Sequence, residues 1–159
     1  TPECTVGREG FIVVKGIQSN PSKAVLTMKV RDHNRKLYEE KKNLLKAAAE
    51  FLRVRHPRAV IELELSDSYA NIADAVTNEN RRGIDCLYQA LEETGVEAKT
   101  KAMRGGTDGS YLSVKGVLTP NYFTGAHNFH SNCEFLPMSS WEKSLGVTLK
   151  LMEIVARGE

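Results

Sequence analysis

Between Asn34 and Pro57 the chain runs from Arg35 to Arg55 without a glycine or a proline. Leu37, Leu44, Leu45, Ala48, Phe51 and Leu52 recur there at three and four, so the spacing predicts an amphipathic helix. Asn34 can cap its first turn, and Pro57 cannot continue it. The flanking segments obey a different period. Ala24, Leu26, Met28 and Val30 alternate with Val25, Thr27, Lys29 and Arg31, and residues 11–18 are β-rich up to the turn cluster Ser19-Asn20-Pro21-Ser22. Period 2 predicts strands, here joined as a hairpin. After the helix, Val60, Glu62, Glu64 and Ser66 alternate with Ile61, Leu63 and Leu65, which predicts a third strand. The order is then β-β-α-β. A βαββαβ half-sandwich needs one more β-α unit in front, and nothing in these residues supplies it.

The pattern lapses over 67–77, which places a boundary near residue 70 and divides the chain into 1–70 and 71–159. Helix signals return over 79–94, with Ile84, Leu87, Tyr88 and Leu91 on one stripe and Gly95 just past the end. A short strand over 96–103, a glycine-rich loop over 104–110 and a short helix over 110–115 are expected next. A strand over 121–124 and an irregular stretch over 125–134 follow. The last helix is expected to start at Ser139, with Glu142 completing a capping box, and to reach about Ala156.

Composition removes several function classes. The chain has 159 residues, 41% apolar and 26% charged, as in a soluble globular protein. No apolar run approaches the roughly 20 residues that span a bilayer. The first residues lack the basic start and apolar core of a signal peptide, and the absence of an initiator Met suggests a fragment or a processed piece. Charge is uneven: residues 1–58 hold 13 basic and 6 acidic side chains, and residues 59–159 hold 9 and 14. A basic first third could meet phosphates. Solvated helix faces are the commoner use of Lys and Arg, and no aromatic stacking platform is present. The expectation is neither nucleic acid nor membrane. Cys4, Cys86 and Cys133 form no CxxC pair, which argues against a cysteine zinc site, and their sparse, odd number suggests a reducing, cytoplasmic compartment.

Three places could carry chemistry. His127-Asn128-Phe129-His130, followed by Glu134, offers imidazole nitrogen and carboxylate oxygen to a divalent metal; either histidine can equally be a surface residue. Gly105-Gly106-Thr107-Asp108-Gly109 permits close backbone approach and positive φ. It is not a phosphate loop, because the Lys-Ser/Thr ending is absent and Asp108 repels an anion. Arg104 at its entrance is a natural carboxylate clamp. Arg31 closes the period-2 strand beside Asp32, either as a surface ion pair or as a ligand-binding group. Glu39-Glu40 and Glu92-Glu93 lie among polar helix positions and read as solvated faces.

Several segments occur in order: Thr1-Pro2-Glu3, Glu9-Gly10-Phe11, Val30-Arg31-Asp32, Asp67-Ser68-Tyr69, Arg104 to Gly109, Thr119 to Gly125, Asn128-Phe129-His130 and Glu134-Phe135. Together they resemble the peptidase T family, tripeptide aminopeptidases among the dinuclear-zinc metallopeptidases. The resemblance covers essentially the whole chain. It implies an α/β protein with an α+β lid. Residues 1–70 would be the ββαβ part of a ferredoxin-like lid and dimerisation domain. Residues 71–159 would be the carboxyl-terminal α/β part of the zinc-peptidase catalytic domain.

The resemblance further implies that His130 is a zinc ligand, one donor to a two-zinc site whose other ligands lie outside this chain. It implies that Arg31 and Arg104 hold the terminal carboxylate of a short peptide, and that Asp108 shapes the loop or supports the site from outside the ligand set. His127 occupies a position that varies in the family. Ser131 stands where a glycine is usual, and Cys133 is unusual too. The implied protein is a zinc-dependent, cytoplasmic, homodimeric aminopeptidase acting on tripeptides, of which this chain is an incomplete and inactive portion. The alternative is a non-enzymatic dimerisation or small-molecule-binding module built on the ββαβ piece.

Overall fold

A computed structural model describes residues 1–158. The chain forms two compact units. One contains Thr1–Ser68 with Ala102–Gly105, and the other contains Tyr69–Lys101 with the residues from Gly106 onward.

In the first unit, β1 (Phe11–Asn20) and β2 (Lys23–Arg31) pair antiparallel, in register from Phe11 opposite Arg31 to Asn20 opposite Lys23. The turn is held by the Asn20 side chain, which accepts the amides of Ser22 and Lys23, both at 2.9 Å. That contact is the reason an Asn favours such a position. A bulge between Val14 and Gly16 places one extra residue, Lys15, in β1. Helix α1 (Arg35–Arg55) starts where the sequence indicates: Asn34 Oδ1 accepts the Leu37 amide at 3.1 Å. It ends at His56, before Pro57.

The expected third strand over 60–66 is not formed. A strand requires a partner for its backbone groups, and this segment has none. It is tied to α1 by side chains instead. Arg53 Nε donates to the Ile61 carbonyl at 2.8 Å, and Asp67 accepts from Tyr38 Oη at 2.6 Å and from Lys42 Nζ at 3.2 Å. Burial and the Asp67 carboxylate push the Tyr38 hydroxyl up to about 12. The Tyr38 and Lys42 hydrogen bonds hold the Asp67 carboxyl below its ordinary range. The alternation survives as burial, with Ile61 and Leu63 half-buried between exposed neighbours. Two strands cannot cover a 21-residue helix. Accordingly, only Ala49 of α1 is buried, while Leu44 and Phe51 of the expected apolar stripe are exposed.

The second unit contains α2 (Arg82–Glu93), α3 (Asp108–Val114) and α4 (Met138–Arg157). Its core joins Cys86, Leu87, Ala90 and Leu91 of α2 to Val147 and Ile154 of α4, with Val96, Phe123 and Leu151 packed against them. The buried stripe of α2 is rotated from the expected one. Small Cys86 and Ala90 face α4, and Tyr88 turns outward to meet Thr100 Oγ1 at 2.7 Å. Gly95, at φ +69, ends α2 as expected. Its amide bonds the Glu92 carbonyl at 3.0 Å, and the Val96 amide bonds the Leu91 carbonyl at 2.8 Å.

Three further expectations are corrected. The strands over 96–103 and 121–124 are absent, since no neighbouring strand runs beside either. The capping box at Ser139 does not form: Pro137 takes the cap position, and its carbonyl accepts the amides of Ser140 and Trp141, so Ser139 lies inside α4. Among the described residues the architecture is mixed α/β, with one two-stranded antiparallel sheet and four α-helices. No described helix is long and apolar enough to cross a membrane.

Candidate functional site

Arg31 is the last residue of β2, opposite Phe11. Its Nη1 donates to the carbonyl oxygen of Arg104, 73 positions later. The Arg104 guanidinium is anchored in turn. Nη1 donates to Thr5 Oγ1 at 2.7 Å, to the Thr5 carbonyl at 3.0 Å and to the Pro2 carbonyl at 3.4 Å. Its Cζ lies 5.6 Å from the centre of the Phe11 ring, within the range of a cation–π contact. The fold therefore brings the two arginines singled out in the sequence into one place. These bonds use one nitrogen of each fork. A guanidinium offers five N–H donors in a plane suited to a carboxylate, so both forks keep donors for a bound anion.

The ion pair between Arg31 and Asp32, one of the two alternatives left open by the sequence, is not formed. The Asp32 carboxylate faces α1, where Oδ2 accepts from Lys41 Nζ at 2.6 Å and Oδ1 accepts the Asn34 amide at 2.8 Å. Its side chain is only 1% exposed. Burial works to raise this carboxyl, but the Lys41 hydrogen bond, the Asn34 amide and the Lys41 charge outweigh it and hold it below its ordinary value. Asp32 is thus turned to the helix, and the positive charge of Arg31 is left uncompensated by its neighbour.

The second unit carries the other candidates. Asp108 is the first residue of α3 and is exposed. Helix α3 begins two residues earlier than expected, so Gly109 belongs to its first turn. The nearby glycines serve close approach, without positive φ. A Cβ on Gly106 would overlap the Tyr69 ring, and one on Gly109 would fall on the Thr119 carbonyl. Asn121 Nδ2 donates to Thr107 Oγ1 at 3.1 Å and joins the two ends of this region.

Residues 127–135 form a tight loop closed by a bridge between His127 and Phe135, with N···O distances of 2.9 and 3.3 Å. Within it, Asn128 and His130 hold left-handed backbone at φ 55 and 64. Non-glycine residues adopt that conformation at a cost, so the loop must enforce it. Glu134 Oε2 accepts the His130 amide at 3.1 Å, Asn128 Nδ2 donates to the Cys133 carbonyl at 3.2 Å, and Ser131 Oγ accepts the Cys133 amide at 3.1 Å. Ser131, unusual by the resemblance, thus supports the turn.

The two histidines differ. The His127 ring is stacked on Phe135, with centroids 5.1 Å apart and planes at 16°. The His130 ring is exposed and meets no hydrogen-bond partner among the described residues. Among the described residues no three His, Cys, Asp or Glu side chains converge as a metal cluster. An imidazole such as that of His130 has the chemistry of a zinc donor.

Thr5, His33 and Lys41 escaped the sequence reading. Thr5 is 99 positions from Arg104, and no local periodicity marks such a contact. Lys41 looks like any solvated lysine until α1 is laid beside Asp32.

No family model matches the chain. Similarity to individual curated proteins is extensive. A peptidase T-like protein of Rhizobium meliloti is 44% identical over 156 residues, and peptidase T of Parabacteroides distasonis is 42% identical over 156 residues. Peptidase T of Clostridium acetobutylicum is 37% identical over 155 residues. Each match covers 98% of this chain and 38% of the relative, so the chain spans well under half the length of the curated relatives it matches. Across nearly all of its residues, the chain is similar to peptidase T and peptidase T-like sequences.

Proposed function

We propose that this chain is the carboxyl-terminal part of a zinc-dependent tripeptide aminopeptidase. Residues 1–70 would be part of a ferredoxin-like lid that also dimerises, and residues 71–159 would be the end of the catalytic domain. The complete protein would act on short peptides in the cytoplasm as a homodimer. The observation that carries this reading is the meeting of Arg31 and Arg104 at one place in the first unit, in a chain 33–44% identical to peptidase T sequences.

Arg31 and Arg104 would bind the terminal carboxylate of the substrate and so select short peptides. Thr5 and Phe11 fix the plane of the Arg104 fork, which lowers the entropy cost of binding. His130 would supply one imidazole ligand from a loop that already holds its backbone in place, and Asp108 would support the loop region without touching metal. Two zinc ions, when bound, would lower the pKa of a shared water. A catalytic zinc site takes about three protein ligands, so the isolated chain is expected to hydrolyse no peptide. Tripeptide hydrolysis with stoichiometric zinc on the 159 residues alone would contradict this.

The clamp is tested in the complete protein with Arg31→Ala and Arg104→Ala. Loss of a charged hydrogen-bonding partner costs roughly 1.5–3 kcal/mol, read as a raised KM for tripeptides with a free carboxyl end. Amidated tripeptides should lose much less. Equal losses for both substrates would remove that arginine from the clamp.

A further inference from the structure

We propose that His33 is a positioning residue for the segment that carries Arg104, and that it grips this segment from both sides only as the imidazolium. The functional consequence rests on the carboxylate-binding reading of Arg104, whereas the grip itself does not. His33 sits between the end of β2 and Asn34, the cap of α1. Its ring lies between two backbone carbonyls from distant parts of the chain. Nδ1 is 3.2 Å from the Arg8 carbonyl oxygen, and Nε2 is 3.2 Å from that of Met103.

Both neighbours are acceptors. A neutral imidazole has one N–H and one lone pair, so it bonds one carbonyl and turns its lone pair toward the other. The imidazolium donates to both. Uptake of one proton therefore converts a one-sided contact into a bracket between the loop before β1 and Ala102–Gly105. That segment is otherwise tied to the first unit by Arg31 donating to the Arg104 carbonyl and by the Arg104 side chain on Thr5 and Pro2. His33 adds a tie at Met103, one residue before the guanidinium in question. The charged groups on the elements meeting here are Arg8 and Glu9 on the loop, Arg31 and Asp32 on β2, Lys41 on α1 and Arg104 itself. Of these, Asp32 is paired with Lys41 and is also coupled electrostatically to His33. The imidazole is the group among them that ordinarily changes charge between about pH 5 and 8.

The tie is tested on the full chain labelled with ¹³C and ¹⁵N. The His33 ring nitrogens and the carbonyl carbons of Arg8 and Met103 are followed through a pH titration. Both carbonyls are expected to titrate with the midpoint of the His33 ring, and both transitions should vanish in His33→Gln, whose single amide group keeps a donor on this side chain. Carbonyls indifferent to the ring, or transitions that persist in His33→Gln, would overturn the proposal, and the wild-type titration alone decides it if the variant fails to fold.

The functional arm uses the complete protein and a tripeptide with a free carboxyl end. Loosening of the bracket around the Arg104 segment should raise KM roughly two- to tenfold as pH rises through the imidazole range, with kcat following the same profile in both proteins. His33→Gln should remove that rise; a variant that keeps it would overturn the positioning role. If Arg104→Ala leaves KM unchanged while the carbonyl titrations persist, the clamp reading fails and the His33 tie stands.

Discussion

His130→Ala in the complete protein is expected to abolish peptide hydrolysis and to lower zinc content by up to one equivalent, whereas His127→Ala should retain both metals and measurable activity. The two residues share one loop and differ in what holds them. The His127 ring packs face to face on Phe135, and its backbone closes the loop through two hydrogen bonds to the same residue. Substitution there removes a packing contact and loosens the frame. Such supporting changes cost about 10–100-fold in affinity or activity.

His130 lies at the turn itself. Its left-handed backbone is pinned by Glu134 on its amide, and its ring is exposed. On the proposed reading its removal would delete one metal ligand, and among the described residues no group of three His, Cys, Asp or Glu side chains stands ready to replace it. Metal analysis of both purified variants decides between them. Zinc lost from the His127 variant and kept by the His130 variant would reverse the assignment. Glu134→Gln provides a control: it keeps an oxygen acceptor for the His130 amide and should leave zinc content intact.

Lys41→Met is expected to destabilise the first unit by about 3–5 kcal/mol, the cost of stranding a buried charge. Methionine keeps most of the apolar stem, so the loss is mainly that of the cation. The Asp32 carboxylate is 1% exposed and the Lys41 side chain 24%, so the acid bears the consequence. In the parent chain the Asp32 carboxyl lies below its ordinary value. Its contribution to stability is therefore complete above the unfolded value of about 3.9 and is lost as pH falls through the folded value. Without Lys41, burial is opposed only by the Asn34 amide and the His33 charge, so the folded carboxyl is expected to rise from its depressed value. The stability lost on acidification should then shrink in the variant. Urea unfolding at several pH values reads both the loss near neutrality and the change of slope. A loss below about 1 kcal/mol, or an acid slope like that of the parent, would show that the pair contributes little.

Local elements with short-range signals were legible in the residues alone. Asn34 and Pro57 bracket α1 because a cap and a helix breaker act within one turn. Asn20 closes the hairpin through its own side chain, and Gly95 ends α2 because it can take positive φ at low cost. The order of sparse motifs was enough to indicate the peptidase T relationship, since residues can be matched without knowing how they are placed.

Features that need a partner emerged only once the chain had folded. Residues 60–66 carry a strand pattern and form no strand, because alternation specifies which side chains are buried while a ladder needs a second backbone. The apolar stripe of α1 stays exposed for the same reason: hydrophobic period states a preference for burial, and the neighbour must supply it. Asp32, just past the end of β2, pairs with Lys41 of α1 and not with adjacent Arg31, a choice made only once the helix lies beside it. Arg104 reached Thr5 and Arg31 across 99 and 73 positions, and no local term in the sequence encodes a contact whose two halves meet only when the chain has folded.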